Sequence, residues 1–175
     1  MIPNLRDVGE TINILYGEEI LKEGVLYRGG TVNALFDESE LPQIKTMINL
    51  RTGIDKEFST VTQLHIPAVD SVENYQSTHH KVRYWLNQVI SSICETNRLP
   101  LLIHCSAGKD RTGVVIAFIL QAIGIDEALI IEEYLQSEGT LNPAGIETAL
   151  HGFSQFDSYL FDAKHLMLLQ QLLLT

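Results

Sequence analysis

Cys105 and Arg111 are the residues of this chain best suited to covalent chemistry, and what lies between them indicates which kind. The run His104-Cys105-Ser106-Ala107-Gly108-Lys109-Asp110-Arg111-Thr112-Gly113 puts a thiol and a guanidinium at the two ends of a short loop of small residues. Small residues let consecutive backbone N–H groups turn inward, and a helix starting at the end of the loop adds unpaired donors and the positive end of its dipole. Such a cradle fits a dianionic phosphate. A helix N-terminus and nearby cations also favour the thiolate, which makes Cys105 a nucleophile toward phosphorus. Arg111 offers a planar fork that matches two phosphate oxygens and keeps its charge as negative charge moves in the transition state. Thr112 can donate a hydroxyl hydrogen bond to the sulfur and help it leave when a phosphocysteine is hydrolysed. His104 is expected to orient the loop without transferring protons. Ser106, Ala107, Gly108, Lys109 and Asp110 complete the substrate-binding loop, with Gly108 permitting close backbone approach and Gly113 close helix packing.

Plainer readings compete with this one. A cysteine after an apolar strand is most often a small buried hydrophobe, and that reading is adopted for Cys94. For Cys105 it is outweighed, because His-Cys with Gly, Arg and Thr at these offsets arises by chance on the order of once in 10⁵ chains of ordinary composition. Gly108-Lys109 does not make a nucleotide-binding loop, which needs Gly where Ile103 stands and Ser or Thr where Asp110 stands. No His or Cys cluster has metal-ligand spacing, so neither metal nor other cofactor is expected. Asp110, inside the loop, is expected to prop it by pairing with a nearby cation. A thiolate can displace an alkoxide or phenolate only if the leaving oxygen is protonated, so an acid must reach the loop from another segment.

The elements that would hold these residues can be read from periodicity. Leu101-Leu102-Ile103-His104, after Pro100, is a continuous apolar run of the kind found in a central strand covered on both faces. Gly113 to Ile123 is apolar nearly all round and predicts a buried helix ending at Gly124. Upstream, Val25–Arg28 before Gly29-Gly30, Met47–Leu50 and Leu64–Pro67 read as strands, and 37–45 as a short helix limited by Pro42. The apolar stripe Val82, Trp85, Leu86, Val89, Ile90 and Ile93 predicts a helix over 77–95. Asp126 caps a helix through Leu135, Asn142-Pro143 opens another, and the Leu-rich stretch 162–174 closes the chain as core or lid, a dimer contact being the alternative. Together these predict an α/β fold, a small mostly parallel central sheet with Leu101–His104 as an inner strand and helices on both faces.

No linker, repeat or low-complexity tract divides the 175 residues, so one domain over 1–175 is expected. A hydrophobic share of 45% and a charged share of 19% exclude extensive disorder. Acidic residues outnumber basic ones 22 to 12, a net charge of −10 that disfavours nucleic acid and anionic membranes as partners. Apolar runs such as Val114–Leu120 fall short of a membrane span, so no stable membrane insertion is expected. Two cysteines and the absence of an apolar signal-peptide core in Met1–Arg6 make a reducing cytoplasm the default.

His104 to Gly113 resembles the signature loop of the cysteine-dependent protein tyrosine and dual-specificity phosphatases. Asn4-Leu5-Arg6-Asp7-Val8-Gly9, Tyr27-Arg28-Gly29-Gly30 and Ile48-Asn49-Leu50-Arg51 are similar, in order and spacing, to elements of bacterial tyrosine phosphatases of the IphP type and of atypical dual-specificity phosphatases. The resemblance covers roughly residues 4 to 135 and implies the dual-specificity-like phosphatase fold. That family usually has Asp where Asn49 stands, and the acidic partner of Arg51 is then Asp55 or Glu57. It also places the general acid on a loop well before the cysteine, where Asp70 and Glu73 are the candidates. Asp70 is preferred because Pro67 precedes it by three residues, as in related phosphatases; the plainer reading is a solvated loop carboxylate. Lys109 is the substrate clue, since phosphoinositide phosphatases often carry Lys there, although their second basic loop residue is here Ser106. Tyr75, Tyr84, Tyr134 and Tyr159 could stack on a substrate ring, with core or surface duty the preferred reading.

The expected activity is that of a phosphomonoester hydrolase, a tyrosine or dual-specificity phosphatase acting through a phosphocysteine on a phosphorylated protein or small phosphomonoester. Phosphoinositide or inositol polyphosphate hydrolysis is the alternative. A non-catalytic phosphate-binding module would keep Arg111 but typically lose Cys105 or the acid, and this chain has both.

Overall fold

The computed structural model describes all residues Met1–Thr175. Five strands, β1 Arg6–Asp7, β2 Leu26–Gly29, β3 Thr46–Asn49, β4 Thr62–His65 and β5 Leu101–His104, form one sheet in the order β1-β2-β5-β3-β4. Only β1 runs antiparallel to its neighbour. β5 is the middle strand, paired with β2 (Gly29 opposite His104) and with β3 (Asn49 opposite His104), and all four of its residues are buried. The apolar run Leu101–Ile103 is what a strand covered on both faces requires, since a polar side chain there needs a buried partner, as His104 at its end has in Asp55.

The two faces are covered differently. Leu101, Ile103 and Ile48 join a core of 34 buried residues to which all six α-helices contribute: α1 Val8–Tyr16, α2 His80–Ile93, α3 Asp110–Ala122, α4 Glu127–Leu135, α5 Ala144–Phe153 and α6 Lys164–Leu173. Leu102 and Met47 point the other way, into a cluster of six completed by Ile2, Val32, Leu35 and Phe58, none of them helical. The helices therefore gather on one face, and loops cover the other, where helices on both faces were expected. The reason lies in 37–45. The Asp37 carboxylate accepts from Ser39 N, and the Glu40 carboxylate reaches back to Asp37 N, closing a capping box round a single 3₁₀ turn, Glu38–Glu40. Pro42 follows before a second turn can form.

The other elements lie close to their predicted places. α3 is buried over Arg111–Leu120 and stops where Gly124 takes φ +93°. Asp126 caps α4 through Ala128 N at 2.8 Å, and α2 presents its apolar stripe to the core. α1 was not foreseen as a helix: Asp7 caps it through Gly9 N at 2.9 Å, but exposed Ile14 and Tyr16 blur its apolar stripe. At the C-terminal end, α6 buries Leu169 and Leu173, and Leu174 bridges back to Leu21, so this stretch serves the core. No helix is long and apolar enough to cross a membrane.

Candidate active site

The carboxyl ends of β2, β5 and β3 open onto one rim, and the chain leaving β5 forms the 105–109 loop there before α3 begins at Asp110. Cys105 is buried at the strand end, and Arg111 sits in the first turn of the helix. The loop closes tightly because glycines face one another. Gly108 has φ +71°, and a side chain there would overlap the backbone of Gly29; a Cβ at Gly30 would lie 2.8 Å from Ser106 O. Thr31 N donates to Ser106 O at 2.9 Å, and Asn4 Nδ2 donates to Ala107 O at 2.8 Å while its Oδ1 accepts from Glu138 N. With its carbonyls held from outside, the loop is free to turn its N–H groups inward.

Beneath the loop lies a buried ionic network. Arg28, on β2 and fully buried, pairs with Glu133 Oε2 at 2.6 Å and donates through Nη2 to Gly108 O at 3.0 Å. Arg6 Nε pairs with Glu133 Oε1 at 2.8 Å, and Arg6 Nη2 donates to Glu133 O. Two guanidiniums share one carboxylate, leaving a net positive charge under the place where the sequence predicts a phosphate. Burial, followed by the like charge of Arg28, lowers the pKa of Arg6. Sequence reasoning missed this support. Arg6, Arg28 and Asn4 lie in the stretches that carry the family resemblance, but Glu133 matches no local pattern; a carboxylate on the buried side of α4 was its only signal.

At the mouth, Arg111 donates to Ala68 O at 3.2 Å and Ser106 Oγ at 3.1 Å, and its Nη2 lies 3.3 Å from Asp70 Oδ2. The Asp70 side chain is 70% exposed. Glu73, the other candidate acid, lies in the 3₁₀ turn Val72–Tyr75 and lines a cavity of about 660 Å³ together with Lys81 and Trp85, a cavity that Asp70 does not line. Of the two candidate acids, Asp70 is the one in contact with Arg111. Lys109 Nζ stands 4.0 Å from Asp110 Oδ2. The closer partner of Asp110 is not a cation but the Tyr75 hydroxyl, which donates to Oδ1 at 2.6 Å. Tyr75, Tyr134 and Tyr159 are buried and Tyr84 is exposed on α2.

On the flank, His104 is fully buried, with Nδ1 3.4 Å from Cys105 O and Nε2 2.8 Å from Asp55 Oδ2, a close approach without hydrogen-bond alignment. Asp55 Oδ1 accepts from Arg51 Nη1 at 3.1 Å, so Asp55 rather than Glu57 is the partner of Arg51. Asn49 shapes the turn between them, donating to Gly53 O and accepting from Arg51 N. Thr112 is fully buried, and its hydroxyl makes no hydrogen bond, so the expected bond to sulfur is not formed here. Cys94, at the C-terminal end of α2, is half-buried, and burial followed by Asp162 pushes its thiol up to about 11.

A one-turn cradle after the central strand of a mostly parallel sheet, with cysteine and arginine closing on it, defines the class of cysteine-based phosphatase folds. The tyrosine phosphatase family matches residues 1–168, and the chain belongs to that family. It is 50% identical over 42 residues to the triple specificity protein phosphatase PtpB of Mycobacterium tuberculosis, a match covering 24% of this chain and 15% of that one. OCA1 of Meyerozyma guilliermondii is 27% identical over 130 residues, 67% of this chain and 69% of that one. The fold is similar to the core catalytic domain of the PP-IP phosphatase SIW14 from S. cerevisiae, with a TM-score of 0.58 at 16% identity over 86% of this chain and 91% of that one.

Proposed function

We propose that the protein hydrolyses phosphomonoesters in two displacements at Cys105. The thiolate attacks phosphorus, the bond from phosphorus to the leaving oxygen breaks, and Asp70 gives that oxygen its proton. Water then attacks the phosphocysteine, Asp70 takes the proton from the water, and the sulfur departs with its electron pair. The Thr112 hydroxyl, without another partner, is available to donate to the departing sulfur. Arg111 exchanges its contact with Asp70 for two phosphate oxygens, which frees the carboxyl group to act at the moment substrate arrives. The arrangement of Cys105 and Arg111 round one backbone cradle, with the Asp70 carboxylate 3.3 Å from that guanidinium, is the observation that carries this reading.

Phosphotyrosine, or a broad range of phosphomonoesters, is the proposed substrate class. Lys109 adds a single positive charge at the rim, and a partly exposed ion pair is worth roughly 0–1 kcal/mol, less than a tenfold gain in binding, so it does not by itself select multiply phosphorylated inositols. Turnover of a phosphotyrosine peptide by the Cys105→Ser variant tests the nucleophile: none is expected, with phosphate or vanadate still bound. Asp70→Asn is expected to slow alkyl phosphates far more than 4-nitrophenyl phosphate, whose leaving group needs little protonation. If Glu73→Gln or Asp110→Asn shows that pattern and Asp70→Asn does not, the acid is a different carboxylate.

A further inference from the structure

The segment carrying Asp70 is held more by hydrogen bonds than by packing. Pro67, Ala68, Val69, Ser71, Glu73 and Asn74 of this segment line the 660 Å³ cavity, and Val69 and Val72 beside Asp70 are 70% and 80% exposed. Arg111 grips Ala68 O, but in the proposed reaction that guanidinium turns to the phosphate. A second attachment does not depend on Arg111. Tyr75, at the end of the segment, is buried and donates to Asp110 Oδ1 at 2.6 Å, and the Tyr134 hydroxyl of α4 stands 2.6 Å from the Tyr75 hydroxyl. A carboxylate only accepts, so the Tyr75 proton goes to Asp110 and Tyr134 donates to Tyr75. Both rings are seated against glycine: a Cβ at Gly113 would lie 2.7 Å from the Tyr134 ring, and one at Gly145 would lie 3.1 Å from the Tyr75 ring. Burial, then the bond to Asp110, raises the Tyr75 pKa, so its hydroxyl remains a donor across the range of an activity assay.

We propose that the Tyr134–Tyr75–Asp110 chain is a latch holding the Asp70 segment over the phosphate cradle, which makes Tyr75 and Asp110 positioning residues for proton delivery. The proposal rests on the reading of Asp70 as the general acid. It ties the segment to the first turn of α3, the same turn that carries Arg111, so acid and cradle move as one body. A misplacement of about 1 Å can cost on the order of 10²-fold in rate, so a hydrogen bond outside the reacting atoms can govern the step.

The test is kcat/KM, which reports phosphoryl transfer to Cys105 and not the later water step, against leaving-group basicity, from 4-nitrophenyl through phenyl to alkyl phosphates, for the wild type, Tyr75→Phe, Asp70→Asn and the double variant. Tyr75→Phe is expected to leave kcat/KM on 4-nitrophenyl phosphate within about twofold and to lower kcat/KM on alkyl phosphates by roughly 10- to 100-fold. In the Asp70→Asn background it is expected to add nothing, because the group it positions is gone. Tyr134→Phe, which removes a hydroxyl one step from the loop, is expected to steepen the dependence less and guards against a Tyr75→Phe chain that fails to fold. A Tyr75→Phe enzyme as insensitive to the leaving group as the wild type, beside a steep Asp70→Asn, overturns the latch and leaves the acid intact. A uniform loss of kcat/KM on every substrate also overturns it, since that marks a merely structural role. If Asp70→Asn itself is insensitive to the leaving group, the acid assignment fails first and the latch with it.

Discussion

At the mouth of the cradle, Arg111 divides its fork among Ala68 O, Ser106 and an Asp70 that is mostly in water; beneath it, Arg28 and Arg6 converge on a Glu133 that is 1% exposed. Both are arginine–carboxylate arrangements within a few residues of the same loop, yet they suit opposite tasks. The mouth contacts are exchangeable: an exposed carboxylate offers little net attraction, so a phosphate dianion can displace it. The underside contacts are permanent, because removing either partner strands an uncompensated buried charge. A catalytic loop needs both, a fixed backbone and a guanidinium that can change partners.

Substitutions on the two sides should therefore fail in different ways. Arg111→Lys loses the fork at the mouth, and kcat/KM on a phosphotyrosine peptide is expected to fall on the order of 10²- to 10³-fold with thermal stability almost unchanged. Steady-state kinetics beside a melting curve check it; a large loss of melting temperature would erase the distinction. Glu133→Gln attacks the underside and is expected to cost about 3–5 kcal/mol of stability, which for a chain of this size lowers the melting temperature by roughly 10 °C. The loss should be accompanied by weaker vanadate binding, since Gly108 O depends on Arg28. Lys109→Ala is expected to have the smallest effect. It should lower kcat/KM on a polyphosphorylated inositol by less than about tenfold, barely alter a phosphotyrosine peptide, and lose its influence as salt rises. Activity confined to polyphosphorylated inositols and lost almost entirely in Lys109→Ala would instead make that rim residue the determinant of the substrate.

The same contrast explains what could be read from the sequence. Cys105, Gly108, Arg111 and Thr112 are neighbours in the chain, so the joint role proposed for them rests on one ten-residue run, and the strand and helix beside them follow from continuous apolar stretches. Asp70 could be proposed only with the help of family resemblance, and its geometry beside Arg111 separates it from Glu73. The underside was not legible: Glu133 is 105 residues from Arg28 and 127 from Arg6, and no local periodicity encodes that meeting. Asp110 has the nearby cation expected of it in Lys109, but its closer partner was not legible for the same reason, since Tyr75 reaches it across 35 residues and a tyrosine is as acceptable to the core as to a hydrogen bond. The crowding of all six helices on one face escaped periodicity too, because an amphipathic stripe says that a helix is covered but not by which face of the sheet.

The most direct measurement is chemical. Wild type and Asp70→Asn, mixed with 4-nitrophenyl phosphate and quenched in acid within one turnover, can be digested and mapped by mass spectrometry. A phosphoryl group on the peptide containing Cys105, and more of it in Asp70→Asn because the water step is slowed, is the expected result. A phosphoryl group on any other residue, or none in either protein while nitrophenol is released, would contradict nucleophilic catalysis by Cys105.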